Sequence, residues 1–149
     1  LKGGDPYIFG RGGEEALALA REAIPFRVLS GLTSGLSALA ATGIPATMRG
    51  INKAVILATG HAAGTDEDID WAALARTGQP LVIYMGMANL PLIAASLLEG
   101  GLPTTPKERT LVATLATLAE EAAAAGMASP ALIVVGGIVA MRAALVGER

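Results

Sequence analysis

Asp5, Arg11 and a set of glycines are the first residues whose types and spacing could do chemistry. They lie in the run Leu1-Lys2-Gly3-Gly4-Asp5-Pro6-Tyr7-Ile8-Phe9-Gly10-Arg11-Gly12-Gly13-Glu14-Glu15. Gly-Gly-Asp-Pro continues neither a strand nor a helix, because glycine adds backbone freedom and proline fixes φ and removes a donor. The chain must turn there with its backbone open to a visiting molecule. Tyr7, Ile8 and Phe9 are expected to press into an apolar wall, while Gly10, Gly12 and Gly13 bend the chain around Arg11 into a helix. Glu14 and Glu15 in its first turn suit the helix dipole. No Gly-Lys-Ser/Thr follows, and Gly10-Arg11-Gly12-Gly13 lacks Gly-x-Gly-x-x-Gly spacing, so phosphate cradling is disfavoured. On glycine content alone, the run reads equally as a loop turning a corner between strand and helix.

The remaining residues supply no conventional catalytic set. His61 is the sole histidine and reads as structural, since a lone imidazole builds neither a metal cluster nor a triad without partners. The absence of cysteine removes disulfides and thiolate metal sites and fits a reducing cytoplasm. No nucleophile–base pair or pair of catalytic carboxylates stands out, and no metal is expected. The 11 Lys plus Arg against 13 Asp plus Glu give a net charge of −2, so nothing steers the chain toward nucleic acid or an anionic membrane. A small-molecule site remains, and any anionic ligand there must be held by local basic groups.

The elements that position such a site follow from composition and pattern. With 149 residues, 52% of them hydrophobic and 3% aromatic, the chain should fold around an aliphatic core with close helix-to-strand approach. That suits a layered α/β protein. Helices are expected over 14–23, 35–42, 66–76, 89–98 and 115–125, and strands over 26–29, 53–59, 80–85, 110–113 and 130–136. Segment 53–59, nearly all apolar, reads as a strand buried on both faces and central. Segment 130–141 falls short of the about 20 residues that span a bilayer, and reads as a buried strand. Thr33 or Ser34 should cap the second helix, and Asn89 its own helix, with Pro91 tolerated in the first turn. Trp71 reads as packing.

Residues 43–50 are polar, proline-bearing and aperiodic, which marks the expected domain boundary. Arg49 reads there as a solvated linker residue, although clefts form at such hinges. Gly86, following strand 80–85, marks a second expected site, because open α/β sheets place ligands beyond the carboxyl ends of their strands. On sequence alone Met85 is core filler, and Ala131 simple strand packing.

The opening run closely resembles the Gly-Gly-Asp-Pro-aromatic-x-Phe-Gly-Arg-Gly-Gly-Glu-Glu signature of uroporphyrinogen-III C-methyltransferases, within the tetrapyrrole methylase family. The resemblance continues through Gly31-Leu32-Thr33-Ser34, Gly43-Ile44-Pro45 with Arg49, Thr59-Gly60-His61, Tyr84-Met85-Gly86, Thr105-Pro106 and Pro130-Ala131 to Gly136, and covers nearly the whole chain. It implies a two-domain α/β fold, each domain a sheet flanked by helices, with 1–49 the last part of the first domain and 50–149 the second. With no N-terminal Met and a motif already under way at Leu1, the chain reads as part of a longer polypeptide.

By the resemblance, S-adenosylmethionine lies between the two domains against Gly3, Gly4, Asp5, Ile8, Thr33, Ser34, Met85 and Ala131. Uroporphyrinogen III lies over it, with Phe9 on the macrocycle and Arg11 and Arg49 pairing with its carboxylates. Two successive methyl transfers would give precorrin-2, on the way to cobalamin or sirohaem, in a cytoplasmic homodimer. The family's acid–base candidates precede Leu1, so no catalytic residue is assigned. The alternatives are another precorrin methyltransferase and a fragment that binds the cofactor without turnover. One departure stands out: Pro103 runs straight into Thr104-Thr105-Pro106, where the family carries a strand and a loop. Either these are deleted, at the expense of a sheet strand and part of the cofactor pocket, or they are absent because the loop is mobile; the second is expected.

Overall fold

The computed structural model describes residues 2–62, 68–101, 113–129 and 131–146. Helix α1 spans Gly12–Arg21, α2 Ser34–Ala41, α3 Trp71–Arg76, α4 Leu90–Glu99, α5 Leu118–Ala124 and α6 Met141–Val146. Strands β1 (Ile56–Thr59), β2 (Leu81–Tyr84) and β3 (Ile133–Val135) form one sheet in the order β1-β2-β3. β1 runs parallel to β2 and β3 antiparallel to it, with Ile56 opposite Leu81 and Ile83 opposite Ile133.

Strand β2 is central, and its alternating side chains divide the core. Leu81 and Ile83 face a cluster with Trp71, Ile93, Leu97 and Ile133, whereas Val82 and Tyr84 face Leu39, Ile44, Ile138 and Val139. Ile93, Ala94 and Leu97 give α4 one apolar stripe against the sheet, as helical periodicity requires. Removing such a side chain from a packed core, as in Leu97→Ala, costs about 2–5 kcal/mol. Among the described residues, every buried hydrophobic side chain lies at or after Leu39. No helix of the described residues is long and apolar enough to cross a membrane.

Several elements differ from expectation for identifiable reasons. Residues 26–29 belong to no strand, and Phe26, Val28 and Leu29 are exposed. Among the described residues no neighbouring strand pairs with them, and apolar content alone cannot supply one. Among the described residues strand β1 lies at one side of the sheet with β2 in the middle, and it begins only at Ile56. The amides of Lys53 and Ala54 instead donate to Gln79 Oε1 at 3.2 and 3.0 Å, which holds that segment off the ladder.

Helix α3 begins at Trp71; of the residues expected to precede it in the helix, 68–70 are not helical and 66–67 lie outside the described residues. Asp68 Oδ1 accepts from the Ile69 amide and from Trp71 Nε1, and Asp70 then caps the helix by accepting from the Ala73 amide at 2.7 Å. Trp71 packs in the core as expected, at 2% exposure. The last strand is only three residues long, and the apolar stretch after it turns into a 3-10 segment, Gly137–Ala140, and then α6. The expected strand 110–113 lies outside the described residues except for Ala113. Pro130 and the junction at Pro103 and Thr104 lie outside them altogether.

Candidate functional site

The opening loop is closed on itself by local chemistry. Asp5 Oδ1 accepts from the Tyr7 amide at 2.8 Å, an Asx turn, and the Gly12 amide donates to the Pro6 carbonyl at 2.8 Å. The other carboxylate oxygen reaches much farther: Asp5 Oδ2 accepts from the Gly31 amide at 3.0 Å. Asp5 thus joins the opening loop to the loop that precedes α2. The two backbones meet so closely that a Cβ on Gly31 would stand 2.4 Å from the Gly4 carbonyl oxygen. Only glycine fits there.

Thr33 occupies the N-cap position of α2, with extended φ of −75° and ψ of 135°, yet neither it nor Ser34 caps the helix. Thr33 Oγ1 lies 2.6 Å from Tyr84 Oη, and the Gly35 amide donates to the same phenol oxygen at 3.0 Å. The cap is therefore supplied from the end of β2. It requires a residue without a side chain at Gly35, where a Cβ would meet Tyr84 Oη at 2.2 Å. The Tyr84 ring also contacts Phe9, with centroids 4.8 Å apart and planes at 51°, a favourable tilted arrangement.

Met85 follows directly, half exposed and in the left-handed region at φ 53°. Phe9 and Arg11 share that rare conformation, at φ 50° and 56°. Backbone strain of this kind gathers where the surrounding structure fixes a ligand site. The Gly60 amide donates to the Tyr84 carbonyl at 2.8 Å, and Asn89 Nδ2 donates to the Gly60 carbonyl at 2.8 Å. Asn89, expected to cap α4, makes no side-chain cap hydrogen bond; its Nδ2 reaches the Gly60 loop instead. Ala131 stands two residues before Ile133, which pairs with Ile83 in the antiparallel ladder, so it lies at the Met85 end of the sheet.

The structure therefore gathers Gly4, Asp5, Phe9, Thr33 and Met85 around the end of β2, with Ala131 at the same end of the sheet. Gly3 and Ile8 are exposed on the opening loop, and Ser34 is exposed at the first position of α2. The expected apolar wall for Tyr7, Ile8 and Phe9 is not there: all three are exposed, and Phe9 makes its ring contact with Tyr84. Arg11 points along the surface, where Nε donates to Glu14 Oε2 at 2.8 Å, beside an open hollow lined by Pro6, Tyr7, Gly12 and Gly13. Arg49 is exposed on a separate turn, with no hydrogen bond or ion pair to Phe9 or Arg11 among the described residues. That turn is pinned by buried Asn52, whose Oδ1 accepts from the Met48 amide while Nδ2 donates to the Ala46 and Ala54 carbonyls.

Lys2 donates to Glu15, and that hydrogen bond, more than the surrounding positive charge, lowers the Glu15 pKa below its ordinary value. His61 is exposed beside Gly60. Among the described residues no group of three His, Cys, Asp or Glu side chains could hold a metal ion.

Sequence reasoning passed over Tyr84 as a site residue. A usable signal was present: a phenol ending the aliphatic run Leu81-Val82-Ile83 must bring its hydroxyl to a polar partner.

Residues 1–133 match the family described as Tetrapyrrole (Corrin/Porphyrin) Methylases. The chain is 44% identical to a uroporphyrinogen-III C-methyltransferase of Sinorhizobium sp over 158 aligned positions, covering 97% of this chain and 56% of that protein. It is 45% identical to siroheme synthase of Nitrosospira multiformis, covering 93% of this chain and 32% of the relative. Uroporphyrin-III-C-methyltransferase of Thermus thermophilus superimposes with a TM-score of 0.75 at 36% identity, over 97% of this chain and 66% of that one. Its complex with S-adenosylhomocysteine gives a TM-score of 0.69 at 36% identity, over 93% of this chain and 64% of that one. The chain thus spans about half the length of the Sinorhizobium relative. The 158 aligned positions exceed its own 149 residues, so at least nine positions of that relative have no counterpart in it.

Proposed function

The chain belongs to the tetrapyrrole (corrin/porphyrin) methylase family, and on that premise we propose that it takes part in S-adenosylmethionine-dependent C-methylation of uroporphyrinogen III. The carrying observation is the meeting of three distant segments at the end of β2: the Asp5 loop bonded to Gly31, Thr33 bonded to Tyr84, and strained, half-exposed Met85. Backbone-lined loops with one hydroxyl and one thioether suit a ligand with an amino-acid tail and a sulfonium. When bound, S-adenosylmethionine supplies a methyl group on a good leaving group, so the protein's task is mainly alignment.

In this reading Gly4 and the Gly31 loop hold the ligand by their backbone, Thr33 bonds a polar atom, and Met85 packs beside it. Gly3, Ile8, Ser34 and Ala131 complete the contact. An electron-rich pyrrole carbon of the substrate forms its bond to the methyl carbon as the sulfur–methyl bond breaks, the electron pair returning to sulfur. A proton is then lost from the macrocycle. A second transfer yields precorrin-2. Phe9 packs on the macrocycle, and Arg11 and Arg49 pair with its carboxylates, for which Arg11 must leave Glu14. The ligands lie where residues 1–49 meet residues 50–149, a division proposed on the same ground.

Incubation of the full chain with methyl-labelled S-adenosylmethionine and uroporphyrinogen III tests this. Products carrying one and then two labelled methyl groups are expected; no label in the tetrapyrrole defeats the assignment. Binding of S-adenosylhomocysteine without transfer would instead favour a cofactor-binding module, the reading to which the positions without a counterpart lend weight.

A further inference from the structure

We propose that Tyr84 is a positioning residue that fixes Thr33 as a hydrogen-bond donor toward the cofactor and, through its ring, orients Phe9 toward the substrate. This rests on the cofactor reading given above and adds a residue and a division of labour to it. The argument starts from counting protons at one oxygen. Tyr84 is 6% exposed, and its Oη already accepts from the Gly35 amide at 3.0 Å. The phenol hydrogen therefore needs an acceptor, because an unpaired buried donor is unfavourable. Thr33 Oγ1, at 2.6 Å, is the acceptor beside it.

If Tyr84 donates to Thr33, the hydroxyl hydrogen of Thr33 is committed to nothing within the fold. Thr33 does not cap α2, so no backbone amide occupies its oxygen either. The half-buried hydroxyl is left polarised, its oxygen receiving and its hydrogen facing outward. Such a group selects an acceptor on the ligand, such as a carboxylate or ribose oxygen, over a donor. Polarisation along a chain of hydrogen bonds strengthens the outward one.

The ring does separate work on the other side. Phe9 sits at φ 50°, and its described aromatic contact is Tyr84, 4.8 Å away. The hydroxyl thus serves the cofactor loop, and the ring serves the residue set to pack on the macrocycle. One side chain, rooted in the central strand, registers the two ligands against each other.

The test separates hydroxyl from ring. S-adenosylhomocysteine is titrated calorimetrically into wild type, Tyr84→Phe, Thr33→Val and the double variant of the full chain, with a thermal melt of each. Tyr84→Phe and Thr33→Val should each weaken binding about tenfold, the scale of one net hydrogen bond. The double variant should be no weaker than about the single ones, since both remove the same bond. Thr33→Ser, which keeps the hydroxyl, should bind like wild type even if the other variants are too unstable to titrate. Tyr84→Phe should leave the KM for uroporphyrinogen unchanged, whereas Tyr84→Leu, which also removes the ring, should raise it several-fold.

A merely structural tyrosine would lower the melting temperature while affinity stayed constant. That result, fully additive losses, or a weakened Thr33→Ser overturns the proposal alone. Failure of wild type to bind S-adenosylhomocysteine overturns the cofactor reading and this proposal with it.

Discussion

The carboxylate of Asp5 accepts a hydrogen bond from the backbone amide of Gly31 at 3.0 Å, while its second oxygen holds the amide of Tyr7. One side chain thus both shapes the opening loop and docks it to the loop before α2. Both oxygens act as acceptors, which only the carboxylate can do in this geometry.

Asp5→Asn turns one of those acceptors into a donor facing an N–H. We expect a loss of about 1 kcal/mol of stability in urea denaturation, the scale of one net hydrogen bond at a half-buried position. Affinity for S-adenosylhomocysteine should fall together with it. Unchanged values for both would show that the two loops dock without this carboxylate.

Gly31→Ala attacks the same junction sterically. A Cβ there meets the Gly4 carbonyl oxygen at 2.4 Å and its carbon at 2.6 Å, both rigid backbone atoms, so the loops must part. Circular dichroism should show an intact fold, since the β2 core lies elsewhere, while calorimetric binding is lost. Retained affinity would mean that the loops can separate without harm to the site.

Asn52→Ala removes the three hydrogen bonds that this buried side chain makes to the Met48 amide and the Ala46 and Ala54 carbonyls. The expected cost is about 1–3 kcal/mol, the scale of these hydrogen bonds with water replacing part of them on an otherwise exposed turn. If Arg49 binds a substrate carboxylate, the KM for uroporphyrinogen should rise in this variant while cofactor affinity holds.

Met85→Gly relieves a left-handed conformation that costs an ordinary residue about 1–2 kcal/mol. The half-exposed side chain contributes little packing in return. Thermal stability should therefore be retained while S-adenosylhomocysteine binding weakens, and Met85→Ala, which keeps the strain, should weaken binding similarly. A variant that loses stability but not affinity would make Met85 ordinary core filler.

Glu15 gives a pH signature of known sign. Its folded pKa lies below the ordinary 4.5 because Lys2 donates to it, so its contribution is present above that value and lost as pH falls through the folded pKa. Wild type and Glu15→Gln should differ slightly at neutral pH and converge in acid. Added salt should shrink the difference, as the pair is on the surface. A difference that grows in acid would rule this account out.

The opening turn was legible because its chemistry is local: Asp-Pro, the Asx turn at Asp5 and the acidic first turn of α1 involve neighbours in sequence. Strand β2 was legible as an unbroken apolar run. Thr33 as a cap was not, because the group that satisfies the Gly35 amide comes from a residue 49 positions away. Among the described strands β2, not segment 53–59, takes the middle, since apolar content reports burial but not which strand lies there. Residues 26–29 have strand composition and no partner, and pairing is a property of two segments. Membership of the family was legible from the opening run, because the match is long and varied in residue type. Which residues touch each other at the site was not.

The absence, among the described residues, of buried apolar side chains before Leu39 has a dynamic consequence. The segment carrying Asp5, Phe9 and Thr33 is held by hydrogen bonds and one ring contact, whereas β2 is locked between two apolar clusters. Amides such as Gly31 and Gly35 should therefore exchange with deuterated solvent through a small local opening, well before those of Leu81 to Tyr84, which require global unfolding. Entry and release of a ligand would then need only the outer half of its site to peel back, on a sheet that never comes apart.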